Sequence, residues 1–166
     1  MRVVLFIVLM LVLVIGLAAA FRLTLVSSAR FDIVPRLVGA RAMLTGQSPY
    51  TDAVTADIQR AMFGGVLPPD ADQQRFAYPA YAGVLLLPLA LLSLDTAISL
   101  WLSIQFVSLL AVVAAWTLIL DWQPRPITLV LLMLAVTIGF RYPLNGLLVG
   151  NFTASMLLLL SLGVLF

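Results

Sequence analysis

Residues 31–50 read FDIVPRLVGARAMLTGQSPY, and the rest of the chain is organised around this polar stretch. The stretch belongs to a polar segment, residues 27–76, which lies between apolar runs long enough to cross a bilayer. Most of the charged side chains of the protein fall within this segment: Arg30, Asp32, Arg36, Arg41, Asp52, Asp57, Arg60, Asp70, Asp72 and Arg75. If the protein carries out chemistry, its ionisable groups are therefore expected here, beside a membrane surface.

The composition excludes several classes of function. The 166 residues are 63% hydrophobic and 10% charged, whereas soluble domains carry about 25% charged residues. The chain has no histidine and no cysteine, which excludes Cys/His zinc sites, histidine acid–base catalysis, thiol nucleophiles and disulfides. All its acidic residues are aspartates, so acid–base chemistry would fall to aspartate. The net charge of +2 comes from scattered arginines without a basic run, and no nucleic-acid partner is expected.

Apolar stretches along the chain predict an all-α fold, a polytopic bundle of about five membrane helices with an interfacial helix in the first loop. The stretches are residues 3–21, 76–94, 96–120, 127–140 and 144–166. The fourth is a short helix or half of a broken one, because its 14 residues give only about 21 Å of helix. The last stops without a polar anchor, so we expect the single membrane domain of residues 1–166 to be truncated at its C-terminus.

The N-terminal stretch has two interpretations. Residues 3–21 could be a secretory signal peptide with a small-residue cleavage site, or a retained first span. The apolar character resumes after Arg22, which favours the retained helix. Arg2 then places the N-terminus in the cytoplasm, and residues 27–76 become an extracytoplasmic first loop of a multi-pass plasma-membrane protein.

Residues 32–45 predict an amphipathic helix within that loop. Pro35 suits its first turn and Gly46 follows as a C-terminal stop. The apolar face that a helix lying on a membrane needs would consist of Val34, Leu37, Val38, Ala42 and Leu44. Asp32 and Arg36 share the opposite face at an i,i+4 spacing. Arg41 falls within the apolar face, where it either snorkels to water or faces an anion such as a lipid phosphate.

The remainder of the loop carries one further motif. Residues 55–63 predict a short helix, and a D-x-D motif follows at residues 70–72. Two carboxylates supply too few oxygen ligands for a divalent cation, so this motif is interpreted as a solvated loop. Neither a metal nor a cofactor is expected.

The order of several short motifs resembles glycosyltransferase family 87, the bacterial polyprenyl-phosphate-mannose-dependent mannosyltransferases of the GT-C class. The first-loop signature is carried by Asp32, residues 40–42 (ARA) and residues 44–50 (LTGQSPY). The later blocks are residues 76–79 (FAYP), residues 85–89 (LLLPL), Trp101 and residues 150–151 (GN). Two blocks depart from the family pattern, because Pro79-Ala80 replaces a double proline and residues 150–153 (GNFT) replace G-Q-x-N. The resemblance covers nearly all of this chain but only the N-terminal part of such an enzyme.

The resemblance implies a membrane hexosyltransferase that moves a sugar, expected to be mannose, from a polyprenyl-phosphate donor to a hydroxyl of a lipid or glycan acceptor with inversion. Asp32 matches the first-loop aspartate that the family uses as base. Arg36 and Arg41 are the nearest cations for the leaving phosphate, with Tyr50, Tyr78 and Asn151 as further substrate-binding candidates. Membrane lipids are the other expected partner.

Alternatives to each of these roles remain open from the residues alone. Asp32 could instead cap the helix and pair with Arg36, and the tyrosines could be ordinary interfacial aromatics. Asn151 could make an interhelical hydrogen bond. For the whole chain, the alternatives are a non-catalytic membrane scaffold and a transporter fragment; the absence of acidic residues and lysine from the interiors of the spans disfavours the transporter.

Overall fold

A computed structural model describes residues 31–71, 74–136 and 150–166, together with Leu11, Ile15, Gly16 and Gly146. This part of the chain is α-helical and contains no β-strand. Its helices are α1 (Ile33–Leu44), α2 (Asp52–Phe63), α3 (Ala80–Val84), α4 (Leu87–Ala90), α5 (Leu94–Ile119), α6 (Pro126–Leu134) and α7 (Thr153–Leu165). The all-α prediction is therefore confirmed for the described residues.

Helix α1 begins and ends where the local sequence predicts. Pro35 lies in its first turn, where the missing N–H costs no hydrogen bond. At its C-terminus Gly46 adopts a φ of 74°, the left-handed conformation that glycine accepts without penalty. The Gly46 N–H donates to the Met43 carbonyl and the Gln47 N–H to the Ala42 carbonyl. These two bonds form a Schellman motif, which satisfies the last carbonyls of the helix.

The surroundings of α1 differ from the prediction of a helix lying on a membrane with one apolar face. Ile33, Val34, Leu37 and Ala40 are fully buried, and Arg36 on the supposedly polar face is buried as well. The difference arises because aromatic rings from elsewhere in the chain cover that polar face. Helix α1 is thus a central element, packed against α2, α3, α4 and α5.

Residues 76–94 do not form the single spanning helix that their apolar run predicts. The chain is non-helical from residue 74 to Pro79, then forms α3 and α4 with a break at Leu85-Leu86. Pro88 explains the break, because it lacks the N–H that would bond to the Val84 carbonyl and its ring clashes with that carbonyl. The two helices and the break together cover 11 residues, about 16 Å of rise, which is half of a hydrocarbon core.

Helix α5 agrees with the predicted third span. It has 26 residues, begins at a Ser93 cap whose hydroxyl accepts the Thr96 N–H, and is about 39 Å long. Among the described residues it is the one helix long and apolar enough to cross a membrane. The predicted first span lies outside the described residues except for Leu11, Ile15 and Gly16, which are helical.

The C-terminal described residues pack along α5. Helix α7 is 13 residues long and mostly apolar, and its contact with α5 is the most extensive helix–helix contact in the described structure. Helix α6 covers the start of the predicted fourth span, and residues 137–145, including Arg141, lie outside the described residues. One buried cluster joins α1, α4 and the first half of α5, and a second joins the latter part of α5 with α6 and α7.

Candidate functional site

Asp32 lies at the start of α1 but does not cap it. Its backbone is helical, with φ −96° and ψ −33°, and its side chain makes no capping hydrogen bond. The carboxylate instead accepts a hydrogen bond from the Tyr78 hydroxyl at Oδ1, over 3.0 Å. Its side chain is 30% exposed, so the group remains accessible. The alternative of Asp32 as a helix cap is therefore wrong for this structure.

Arg36 follows Asp32 by one helical turn and is almost completely buried. Only 5% of its surface is exposed, and its Nη2 lies 3.8 Å from Asp32 Oδ2. The guanidinium carbon lies 4.0 Å from the centre of the Tyr78 ring and 4.8 Å from that of Phe152, which are cation–π distances. Burial lowers the pKa of Arg36 from its usual value, an effect that the charge of Asp32 opposes.

The hydrogen-bonding capacity of Arg36 is incompletely used. Its Nη1 donates to the Gly150 carbonyl over a long 3.4 Å, and its buried Nε has no partner among the described residues. A buried charged donor without a partner is costly, because it loses water without gaining a replacement. The guanidinium is therefore able to bind an additional acceptor, and an anion is the acceptor that best matches its charge.

Tyr78 connects the carboxylate and the guanidinium. Its hydroxyl donates to Asp32, its ring covers Arg36, and its carbonyl accepts the Tyr50 hydroxyl over 2.8 Å. The Phe76 ring stands edge-on to both Tyr50 and Tyr78, with centroid distances of 5.3 and 5.8 Å. Burial raises the pKa of Tyr78 to about 12, with Arg36 acting in the opposite direction, so the hydroxyl stays protonated at neutral pH.

The turn before α7 completes the site from the other end of the chain. Gly150 has a φ of 76°, and its carbonyl accepts the Trp101 indole N–H over 2.9 Å as well as Arg36. The Phe152 ring packs edge-on against Trp101 with a centroid distance of 4.6 Å. Sequence reasoning assigned no role to Phe152, and a lone aromatic residue in an apolar stretch gives no signal for one.

A cavity of about 290 Å³ adjoins Arg36 and Tyr78. Its walls are formed by Arg36, Tyr78, Pro79, Tyr81, Ala82, Leu85, Asn151, Phe152 and Met156. Asn151 belongs to this wall, and its side-chain oxygen accepts the Phe152 N–H over 2.6 Å. The cavity therefore combines one buried cation with mostly apolar walls, a combination that fits an amphiphile with a single anionic group.

Arg41 lies apart from this site. Its Nε donates to the Ala90 carbonyl over 3.1 Å and its Nη2 to the Leu92 carbonyl over 2.7 Å. The side chain thus satisfies the last carbonyl of α4 and that of Leu92 in the turn after it, a role that is neither of the two expected from the sequence. Of the six predicted site residues, the structure brings together Asp32, Arg36, Tyr50, Tyr78 and Asn151, and it separates Arg41 from them.

No candidate metal centre is found in the described residues. None of their acidic side chains form a group of three or more that could hold a metal ion. Asp72, the second residue of the D-x-D motif, lies outside them.

Chemically, the site offers one accessible carboxylate at Asp32, one buried cation with an unused donor at Arg36, and an apolar cavity that Arg36 and Tyr78 line. A carboxylate in such a position can take a proton from a hydroxyl, and the cation can stabilise a phosphate oxygen. No family model, no curated protein and no solved structure matches this chain.

Proposed function

We propose that the protein is a membrane glycosyltransferase that moves a sugar from a polyprenyl-phosphate donor to a hydroxyl of a lipid or glycan acceptor. The observation that carries the proposal is the geometry of Asp32, an accessible carboxylate that is not used for capping and lies within 4 Å of a buried arginine with a spare donor. The resemblance to the polyprenyl-phosphate-mannose enzymes supports mannose as the sugar.

Asp32 acts as the base in this proposal. Tyr78 occupies one lone pair of Oδ1, which leaves other lone pairs of the carboxylate for an acceptor hydroxyl. As Asp32 takes the proton, the acceptor oxygen forms a bond to the anomeric carbon of the sugar. The bond from that carbon to the phosphate oxygen breaks, so the phosphate departs with the electron pair and the configuration is inverted.

Arg36 stabilises the departing phosphate. The leaving lipid phosphate gains negative charge in the transition state, and the guanidinium of Arg36, which lines the cavity, supplies a charge-assisted hydrogen bond to it. Because the rings of Tyr78 and Phe152 both pack against the guanidinium, the arginine is held in place before the substrate arrives. The apolar cavity wall at Ala82, Leu85 and Met156 accommodates the first part of the prenyl chain.

The proposal places the site on the extracytoplasmic side of a plasma membrane. Arg2 precedes the first apolar stretch, and short positively charged flanks stay in the cytoplasm. Residues that follow this stretch, including Asp32, then lie outside. Polyprenyl-phosphate sugars are lipids, so a site beside the bilayer surface can receive them without extracting them into water.

The decisive experiment is transfer of mannose from polyprenyl-phosphate mannose by Asp32→Asn in membranes. We expect a rate loss of about 10²–10⁴-fold, the usual contribution of a general base. Asparagine can still accept the Tyr78 hydrogen bond, so the fold should be retained. Asp57→Asn is the matched control, because Asp57 is an exposed aspartate paired with Arg60 on α2.

The two variants separate catalysis from a purely structural role. Asp57→Asn should retain the wild-type rate. Undiminished transfer by Asp32→Asn would remove Asp32 as the base. A wild-type protein that transfers no sugar from any lipid-phosphate donor would contradict the enzymatic proposal and favour a membrane scaffold.

A further inference from the structure

The segment of residues 79–92, which contains α3 and α4, presents an apolar surface to its surroundings. Tyr81 is 63% exposed, Leu85 56% and Leu91 76%, although each is large and apolar. No charged residue occurs from residue 76 to residue 94. A contiguous exposed apolar surface of this kind marks a site of interaction, because exposing it to water is unfavourable.

Backbone carbonyls at the ends of the two short helices in this segment find partners within the protein. Lipid offers no hydrogen bonds, so a helix can end within a bilayer only if its terminal carbonyls find partners in the protein. The Leu86 carbonyl accepts the N–H groups of Leu89 and Ala90. The carbonyls of Ala90 and Leu92, which water would satisfy at an ordinary surface, are instead bound by the Arg41 guanidinium.

The segment is also too short to cross. Helices α3 and α4 with their break give about 16 Å of rise, against a hydrocarbon thickness of about 30 Å. A tight turn at Leu91 and Leu92 then leads directly into α5. The apolar surface is therefore continuous in the chain with the one described helix that is long enough to span.

We infer that residues 79–92 lie within one leaflet of the bilayer, with Tyr81, Leu85 and Leu91 against the hydrocarbon, and do not cross it. Helix α5 is then the single crossing between residues 31 and 121. It follows that residues 31–78 lie on one side of the membrane and the loop of residues 121–125 on the other. The inference rests on the proposed function in that it takes the protein to be a membrane protein, with α5, which is long and apolar enough to span, as the crossing helix.

This arrangement also indicates from which side a ligand would enter the cavity beside Arg36. Tyr81 and Leu85 belong both to the lipid-facing surface and to the wall of the cavity beside Arg36. The mouth of the cavity therefore opens next to the acyl chains. An amphiphile reaches Arg36 sideways from the bilayer, with its apolar part still in lipid, rather than from the aqueous phase.

The first test is the sidedness of two single cysteines in a chain that has none of its own. Ala53→Cys places a thiol on the exposed surface of α2, and Gln123→Cys places one in the exposed loop after α5. We expect a membrane-impermeant maleimide to label one of them only in spheroplasts and the other only in inverted vesicles. Labelling of both in the same preparation would mean two crossings and would overturn the inference.

The second test is direct contact with lipid. An environment-sensitive fluorophore on Leu91→Cys or Leu85→Cys should be quenched by phospholipids brominated on their acyl chains, whereas the same fluorophore on Ala53→Cys should not. Equal lack of quenching at all three positions would overturn the lipid contact. Release of the protein from membranes by carbonate would instead contradict α5 as a span, and with it the membrane part of the proposed function.

Discussion

At the site, the side chains of Asp32, Arg36 and Tyr78 contact one another directly, although Tyr78 lies outside the helix that carries the other two. Asp32 and Arg36 are neighbours on α1, but each is held by Tyr78, which comes from a non-helical segment 46 residues after Asp32. A carboxylate and a guanidinium at 3.8 Å neutralise each other only partly, because their hydrogen-bonding geometry is poor. The partial pairing leaves both groups able to meet a substrate.

Alkaline titration should identify Tyr78 among the four tyrosines of the chain. Its pKa is raised to about 12 from the ordinary 10.0, mainly because burial disfavours the phenolate. The folded protein thus holds this proton more tightly than the unfolded chain does. The resulting contribution to stability is complete below pH 10 and is lost as the pH rises through about 12.

The measurement is tyrosinate absorbance of the folded protein as the pH is raised. Tyr78→Phe should lack the component that ionises last, while Tyr81→Phe, at an exposed position on the cavity rim, should retain it. If the last component persists in Tyr78→Phe, the proposed environment of this hydroxyl is incorrect.

Sequence reasoning named Asp32, Arg36 and Asn151 as members of the site but missed Phe152. The i,i+4 spacing of Asp32 and Arg36 is a local property and was readable from the sequence. The ring of Phe152 over Arg36 joins residues from opposite ends of the chain, and the apolar residues around Phe152 carry no pattern that indicates such a contact. Only the packing of α7 against α5 brings it there.

Among the elements, α1 needs a glycine at position 39, where the Phe76 ring packs closely against the helix. A Cβ added to Gly39 would come within 2.2 Å of the Phe76 ring, which is itself buried. Gly39→Ala should therefore lower the free energy of unfolding by about 1 kcal/mol, since overpacking outweighs the better helix propensity of alanine.

The matched control for Gly39 is Gly163, which lies in α7 with no atom near the position of an added Cβ. Gly163→Ala should raise the free energy of unfolding by up to about 1 kcal/mol, because only helix propensity changes there. Denaturation in detergent measures both variants. Equal effects of the two substitutions would contradict the close packing of Phe76 on α1.

Helix ends that a local glycine causes were predicted well, whereas α2 begins at Asp52, after the Thr51 cap, and not at the predicted residue 55. Gly46 ends α1, Gly64 ends α2 with a φ of 78°, and a loop residue with φ 47°, Asp121, follows α5. Pro88 predicts a kink within residues 76–94, and the helix is interrupted there. That the segment also stops at Ala90 was not predicted, because residues 80–92 are uniformly apolar and a proline permits either a kink or a stop. Helix α4 can end at Ala90 because the Arg41 side chain donates a hydrogen bond to the Ala90 carbonyl, and Arg41 lies 49 residues earlier in the chain.

Across the whole molecule, Gln105 fixes the two halves of the chain to each other. Its fully buried amide donates to the Ser155 hydroxyl and accepts the Ser155 N–H, one of the first-turn donors of α7 that have no partner within the helix. Because α7 follows the turn that carries Gly150 and Phe152, this pair also sets where those residues meet Arg36.

A double-mutant cycle with Gln105→Leu and Ser155→Ala measures this connection. We expect a coupling free energy of about 0.6 kcal/mol, the average for hydrogen bonds between membrane helices, and an upper limit of about 1.7. Both single variants should be less stable than the wild type in detergent denaturation. Strictly additive effects would show that the two side chains do not support each other.

The carbonyl of Gly150, which Arg36 and Trp101 share, has a consequence for biosynthesis. Arg36 emerges from the ribosome 114 residues before Gly150 does. At about 5–20 residues per second, the arginine waits roughly 6–23 s before its acceptor exists. Throughout that interval Arg36 has Asp32 and Tyr78 as neighbours but not this carbonyl, so the contact that joins α1 to the turn before α7 forms only after residue 150 has been made.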